Sequence, residues 1–307
     1  MSIGAGAFVA GSTPTDEEHP MTEYLPTPRT LVDGLAMVES GRWRDGRLWF
    51  AHWGVGEVLA VDPAVDPDGR AEVMASGPAR MGWSIAWLPD GRLVTTGDAI
   101  TRHEPDGTLT TLRAQGANEI AVDPAGHVYV DGFDGAFGDG GWPDPGWIDL
   151  LAPDGSWRRV AEDIHFPNGM VITPDGATLV VAESTAGRLT AFDIADDGSL
   201  TGRRVWADGL GPDGIAIDAE GGIWTQTGDT RTFTGDPASP AGACVRVLDG
   251  GEITHRVETD LPCFACALGG PDGRSLFLLC NEWAGIEEAV AVQARRSARV
   301  LVTEVPR

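Results

Sequence analysis

Four oxygen-donor side chains recur at one register of this 307-residue chain: Glu39, Asn118, Asn168 and Asp213. Each opens a short apolar run and stands seven or eight residues before a turn glycine. Carboxylate and amide oxygens are hard donors, the kind that Ca²⁺ and Mg²⁺ take. Singly, Asn168 in Phe166–Met170 and Asp213 in Gly211–Ile215 read as ordinary turn residues, each flanked by Pro and Gly. Their repetition at one register points instead to an ion site. The remaining units carry Trp83, with Ser84 next to it, and Ala265 at this position.

The elements that must position these donors are short strands. The turn glycines are Gly46, Gly91, Gly126, Gly176, Gly221 and Gly273, spaced 45, 35, 50, 45 and 52 residues apart. Each is preceded by one strand-like run and followed by a second, a polar break and a third, with room for a fourth. Runs rich in Val, Ile, Leu and Trp fit a pleated, half-buried strand. Four strands per 40–50 residues, repeated radially, predict an all-β, six-bladed β-propeller with four-stranded blades around a central channel. No stretch has the 3.6 period that a doubly wound α/β fold requires. The propeller is expected over residues 26–307, behind an N-terminal arm at 1–25. The ring closes through Ala298–Val305 or through Thr30–Val32. In such a ring the innermost strands line the channel, so donors from distant parts of the chain share one mouth.

Composition narrows the partners. The formal net charge is −24, from 46 acidic and 22 basic residues, and none of the basic ones is Lys. Such a surface repels phosphate backbones and anionic membranes. No apolar run approaches the ~20 residues that span a bilayer. Met1–Pro20 lacks the charged start and long apolar stretch of a secretory leader, so the expected location is the cytoplasm. The 42 Gly and 21 Pro residues disfavour long helices. The cysteines, Cys244, Cys263, Cys266 and Cys280, lie in the last quarter and are expected as buried strand thiols. The Cys263–Cys266 spacing is C-x-x-C, but no second pair or nearby His completes a zinc site.

With these motifs in place, the chain resembles the gluconolactonase, senescence-marker-protein and luciferin-regenerating-enzyme family of six-bladed propellers. The likeness runs from about Leu31 to Val305. It rests on Glu39–Trp43 before Asp45–Phe50, on Asn118–Asp123, on Phe166–Met170 with Thr173–Gly176, and on Gly211–Gly214 with Asp218. It implies one divalent cation, Ca²⁺ first with Mg²⁺, Mn²⁺ or Zn²⁺ as alternatives, held by Glu39, Asn168 and Asp213. It further implies that Asn118 contacts the substrate or water at the ion, and that the reaction is hydrolysis of a lactone. Family members acting on sugar lactones carry Arg two residues before this Asn, where this chain has Gly116. Glu39 is followed by Ser40–Gly41 rather than the family's Gly-Pro. The segment Asp131–Trp147 is rich in Gly, Asp and Trp. These departures leave the ion site intact and point away from a strict sugar substrate.

The implied mechanism has the metal polarise the lactone carbonyl and stabilise the oxyanion, with Asp213 as the base for water. Glu183 is either a carboxylate that orients the site from behind or a solvated strand end. Trp83, Trp142, Trp147 and His165 are the further substrate-contact candidates, the two later Trp residues on the loop. His52 and His103 are read as structural or exposed. No Gly-x-Ser-x-Gly elbow is present, so a serine triad lacks its signature. The partner is therefore a small lactone or cyclic ester. A tailoring enzyme on the same scaffold, acting on a less polar metabolite, and a non-catalytic Ca²⁺-binding interaction propeller stand as the alternatives.

Overall fold

The structure is a computed structural model and describes residues 22–65, 69–134, 145–227 and 242–306. Six antiparallel sheets form six blades. Blade 1 takes Val38–Arg44, Arg47–His52, Glu57–Val61 and Glu72–Ser76. Blade 2 takes Ile85–Trp87, Leu93–Thr95, Ile100–His103 and Leu109–Arg113. Blade 3 takes Ile120–Val122, Val128–Phe133, Gly146–Leu151 and Trp157–Ile164. Blade 4 takes Pro167–Ile172, Thr178–Glu183, Arg188–Ile194 and Leu200–Asp208. Blade 5 takes Ala216–Ile217, Ile223–Thr227, Gly242–Val247 and Ile253–Thr259. Blade 6 takes Cys263–Gly269, Ser275–Cys280, Ala298–Glu304 and, from the other end of the chain, Arg29–Leu35. The fold is a six-bladed β-propeller.

The first and second strands of each blade are joined at the expected turn glycines, and all six have positive φ, from 73° to 91°. A side chain disfavours that conformation, so the repeated glycine is what makes the repeated hairpin possible. The ring closes by pairing Thr30 with Leu301 and Val32 with Val300. The N-terminal strand is thus the outermost strand of the last blade, and Ala298–Glu304 is its neighbour within that blade. Residues Glu23–Tyr24, assigned to the arm by sequence, add a short parallel strand to the outer edge of blade 5. Residues 1–21 lie outside the described residues.

The core is divided like the ring. Six hydrophobic clusters each join neighbouring blades, for example Leu48, Phe50 and Leu59 of blade 1 against Phe277, Leu279 and Val300 of blade 6. A second joins Val180, Leu189 and Ala191 of blade 4 to Ile223, Val245 and Val247 of blade 5. Each sheet is therefore apolar on both faces, and burial at about 25 cal/mol per Å² holds the blades face to face around the ring. Within blade 6, between Cys280 and Ala298, the chain forms the helix Ala289–Arg295. Among the described residues no helix is long and apolar enough to cross a membrane. The four cysteines are free and buried, in strands of blades 5 and 6.

Candidate functional site

The four donors gather where the innermost strands begin. Glu39 and Asn168 are the second residues of their strands, while Asn118 and Asp213 precede theirs. Asn118 Nδ2 donates to Asn168 Oδ1 at 3.4 Å, and the Asn168 amide in turn bonds the Asp213 carboxylate. Glu39, Asn168 and Asp213 are buried and Asn118 is half-buried. Blades 4, 5 and 6 meet here through backbone. Gly169 N–H donates to Asp213 O at 3.1 Å, and Gly214 N–H donates to Phe264 O at 2.8 Å. A Cβ on Gly169 would collide with Asp213 O, and one on Gly214 would lie 2.8 Å from Glu39 Oε1. The Gly of each Pro-Asn-Gly and Pro-Asp-Gly segment therefore serves close approach between blades. Neither adopts positive φ.

A third carboxylate, Glu119, joins this set from the position beside Asn118. Its Oε1 accepts from Arg42 Nη2 at 2.9 Å, from its neighbour's Ile120 N–H at 2.8 Å and from Ser84 Oγ. Ser84 Oγ lies 2.5 Å from Ser40 Oγ, which also accepts Ile85 N–H at 3.0 Å. Ser40 pays for this bond with a left-handed backbone, φ 56°, directly after Glu39. Three carboxylates, Glu39, Glu119 and Asp213, thus share one charge environment, in which the Arg42 guanidinium is paired with Glu119. Burial first, then the charges of Glu119 and Asp213, pushes the Glu39 carboxyl well above the usual range. Burial and Glu119 do the same to Asp213, against the hydrogen bond from Asn168.

This environment fits a divalent cation. Glu39 Oε1 is buried and has no hydrogen-bond partner, although buried oxygens ordinarily have one. The negative charge beside it exceeds what Arg42 balances, and Glu39, Asn168 and Asp213 present hard oxygens together. Among the described residues no three His, Cys, Asp or Glu side chains form a metal group. A set that includes an amide oxygen does not depend on such a group.

Behind the donors runs a ring of buried anchors, of which sequence reasoning singled out Glu183 alone as a carboxylate behind the site. At the end of the second strand of each blade, one polar side chain bonds the backbone where an innermost strand begins. His52 Nε2 accepts Ala36 N–H at 2.9 Å, and Thr96 Oγ1 accepts Ser84 N–H at 2.7 Å. Asp131 Oδ1 accepts the N–H groups of Asn118 and Glu119 at 2.8 and 2.7 Å. Glu183 Oε2 accepts His165 N–H at 2.9 Å. Gln226 clamps the Asp213–Gly214 segment from both sides, accepting Asp213 N–H and donating to Gly214 O, each at 2.8 Å. Asn281 does the same to Val38 N–H and O, each at 2.8 Å, and so ties blade 6 to blade 1 beside Glu39. All six are buried. Burial pushes the Asp131 carboxyl up to about 8.

The other sequence candidates fall in different places. Glu183 is the blade 4 anchor, buried against Arg188, Arg203 and Thr190. It is fully buried rather than solvated. Trp83 is fully buried in the core between blades 1 and 2, its indole N–H on Arg80 O at 3.1 Å. Trp147 lies in the third strand of blade 3, not on the loop; its N–H donates to Asp149 at 3.0 Å and Arg159 covers its ring at 3.8 Å. Both Trp side chains thus pack the blades. Trp142 lies outside the described residues. His165 is half-buried, three residues before Asn168, and its backbone rests on Glu183. His52 pairs with Glu57 at 2.9 Å and His103 sits beside Thr95 at 3.2 Å, both within their blades. A Cβ on Gly116 would collide with Gly97 O, so this backbone admits no side chain there. Next to Asn118 a cavity of about 250 Å³ opens between blades 2 and 3, with Arg80, Asp98 and Phe133 on its walls.

Comparison with known proteins identifies the family. The family model for the SMP-30/gluconolactonase/LRE-like region matches residues 64–281, more than half of the chain. A luciferin-regenerating enzyme superposes with a TM-score of 0.70 at 16% identity, covering 91% of this chain and 95% of its own. Regucalcin of Agrobacterium tumefaciens strain C58, a calcium-binding protein, gives 0.68 at 20% identity, over 93% of this chain and 97% of its own. A gluconolactonase of Xanthomonas campestris gives 0.66 at 21% identity, over 98% and 99%. A 6-phosphogluconolactonase of Klebsiella pneumoniae is 42% identical over 53 residues, 17% of this chain. That stretch spans 14% of the relative's length.

Proposed function

We propose that this chain, which belongs to the SMP-30/gluconolactonase/LRE-like family, opens a lactone ring by hydrolysis with the help of one divalent cation, Ca²⁺ in the first instance. The observation that carries this reading is the buried Glu39–Asn168–Asp213 set, with Glu39 Oε1 unpartnered, beside Asn118 and an open cavity. The calcium-binding regucalcin and the gluconolactonase among the structural relatives support it. A non-catalytic propeller has no use for such donors next to a cavity of substrate size.

Glu39, Asn168 and Asp213 would hold the cation, which when bound supplies Lewis-acid polarisation of the ester carbonyl. The chain's own residues do the rest. Asn118, half-buried at the cavity edge, orients the lactone through its amide. Asp213 keeps one oxygen for the attacking water and takes its proton as the water oxygen adds to the carbonyl carbon. The ring C–O bond then breaks, and the departing ring oxygen takes that proton to leave as a hydroxyl. Burial raises the Asp213 carboxyl, which strengthens it as a base once it is ionised. Gln226 fixes the Asp213 backbone from both sides, so the base is aimed before substrate arrives. Arg42 and Glu119 hold the first-strand bulge behind Glu39.

The test is hydrolysis of a panel of lactones of differing ring size, with Ca²⁺ and with chelator. Chelation is expected to stop turnover, and Asp213→Ala to lower kcat by about 10³-fold or more while the circular dichroism spectrum stays that of the wild type. A folded Asp213→Ala enzyme with full activity would remove Asp213 from the reaction.

A further inference from the structure

Four free thiols gather at the junction of blades 5 and 6, and two of them face each other across one ladder. We propose that Cys263 and Cys280 are a redox-active pair, which hydrogen peroxide oxidises to a cross-strand disulfide. Neither cysteine enters the proposed hydrolysis, so the pair stands apart from that reading.

Cys263 opens the innermost strand of blade 6, and Cys280 closes the second strand of the same blade. They are direct partners in the antiparallel register. Asn281 N–H donates to Pro262 O at 3.0 Å. That bond joins the residue after Cys280 to the residue before Cys263, which makes the two cysteines a non-hydrogen-bonded pair. Opposite residues of such a pair project from the same face, with Cα atoms about 4.5 Å apart and side chains closer than at a hydrogen-bonded pair. This spacing falls within the roughly 4.4–6.8 Å that a disulfide takes. Both side chains enter one buried cluster. The thiols touch there: contact with Cys263 first, then burial, pushes the Cys280 thiol up. The register slips between Cys263 and Ala265, so the pair stands beyond a bulge, at the end of its ladder.

The other two thiols are placed differently. Cys244 and Cys266 also touch, but they lie in different blades, so no ladder sets the spacing of their backbones. Cys266 Sγ is turned to Trp224 O at 3.2 Å. Exposure points the same way. Cys263 is 7% exposed, against 0–1% for the other three, and its strand begins at the end of the ring where the oxygen donors gather. A small oxidant therefore meets Cys263 first. The Cys263 sulfur, as thiolate, attacks one peroxide oxygen. The O–O bond breaks, hydroxide leaves and takes up a proton as water, and a sulfenic acid remains. The Cys280 sulfur then gives up its proton and displaces the hydroxyl from the Cys263 sulfur, which leaves with that proton as a second water. Two thiols and one hydrogen peroxide become one disulfide and two waters.

The experiment treats the folded, reduced full chain with hydrogen peroxide and blocks the remaining thiols with N-ethylmaleimide in denaturant. Non-reducing digestion and mass spectrometry then map the product. The expected product is lighter by two hydrogens before blocking, keeps two of its four thiols and links Cys263 to Cys280. Wild type oxidised in denaturant is the control, and its pairing is expected to be mixed, because no ladder then selects partners. Cys244→Ser is expected to form the same bond as wild type, and Cys263→Ser to form none. Since the wild type alone carries the pairing result, a variant that fails to fold leaves the test intact. Retention of all four thiols by the folded protein would overturn the proposal. So would overoxidation without a bond, a bond confined to Cys244 and Cys266, or a pairing as mixed in the folded protein as in the denatured one.

Discussion

Two junctions of the ring differ in what they do with the same geometry. Between blades 2 and 3, a single backbone bridge links Gly97 to Ala117, and beyond it lies the cavity beside Asn118. Between blades 5 and 6, a single bridge links Gly214 to Ala265, and behind it lies a closed core. There Cys244, Cys263, Cys266 and Cys280 pack with Trp224, Leu276 and Leu278. Cys266 Sγ reaches Trp224 O at 3.2 Å, so even its weak donor is used inside the core. One junction gives space, and the other gives a wall. The wall stands behind Asp213 and the space lies beside Asn118. A site of this kind needs both, because donors that move by an ångström lose their ion while a sealed mouth admits no substrate.

The largest expected effect breaks the closed junction. Gly214→Ala places a Cβ 2.6 Å from the Ala265 side chain and 2.8 Å from Glu39 Oε1. The blades must part, at about 1–3 kcal/mol of stability. Ca²⁺ affinity should fall by about tenfold or more in calorimetry, since Glu39 and Asp213 separate together. A folded Gly214→Ala protein with unchanged affinity would mean that the wall does not set the donor spacing.

A smaller effect sharpens the comparison at the open junction. Asp131 anchors Asn118 and Glu119, and its folded carboxyl titrates at about 8, above the ~3.9 of an unfolded Asp. A carboxyl raised in this way favours the folded state at low pH, and its contribution is lost as pH rises from about 4 to 8. Asn keeps the acceptor for both amides and has no charge to bury. Asp131→Asn is therefore expected to gain on wild type as pH rises from 5 to 8, by on the order of 1 kcal/mol for each pH unit. Thermal unfolding at the two pH values checks this, and a difference that shrinks with rising pH would contradict it.

The fold was legible because its punctuation repeats. Six turn glycines at positive φ fix six hairpins, and the donors are found by counting back from them. Apart from Glu183, which the sequence offered as a carboxylate behind the site, the anchors were hidden for two physical reasons. They lie five to eight residues past the turn glycine, at His52, Thr96, Asp131, Glu183, Gln226 and Asn281, because strand lengths and bulges vary from blade to blade. They also share no residue type, only an atom able to accept an amide hydrogen. Glu119 was hidden by standing next to Asn118, which carried the register. Trp83 and Trp147 misled because a Trp near a mouth can pack inward, and only the three-dimensional arrangement shows that Trp147 rests on Asp149 and under Arg159. Gly116 was read as a lost side chain. The structure adds that Gly97 O occupies the space a side chain would need, and that a guanidinium reaches the cavity from Arg80 instead.

The central claim is that Glu39, Asn168 and Asp213 are built around a divalent cation, and thermal unfolding of wild type and Glu39→Gln with and without Ca²⁺ tests it most directly. In wild type, Ca²⁺ at a hundred times its Kd should add about 2.7 kcal/mol, a rise of several degrees in Tm. Without Ca²⁺, Glu39→Gln should be at least as stable as wild type, because a crowded carboxylate is gone, and its Tm should not respond to Ca²⁺. A wild-type Tm indifferent to Ca²⁺, Mg²⁺, Mn²⁺ and Zn²⁺, or a Glu39→Gln variant that responds as wild type does, would contradict the account.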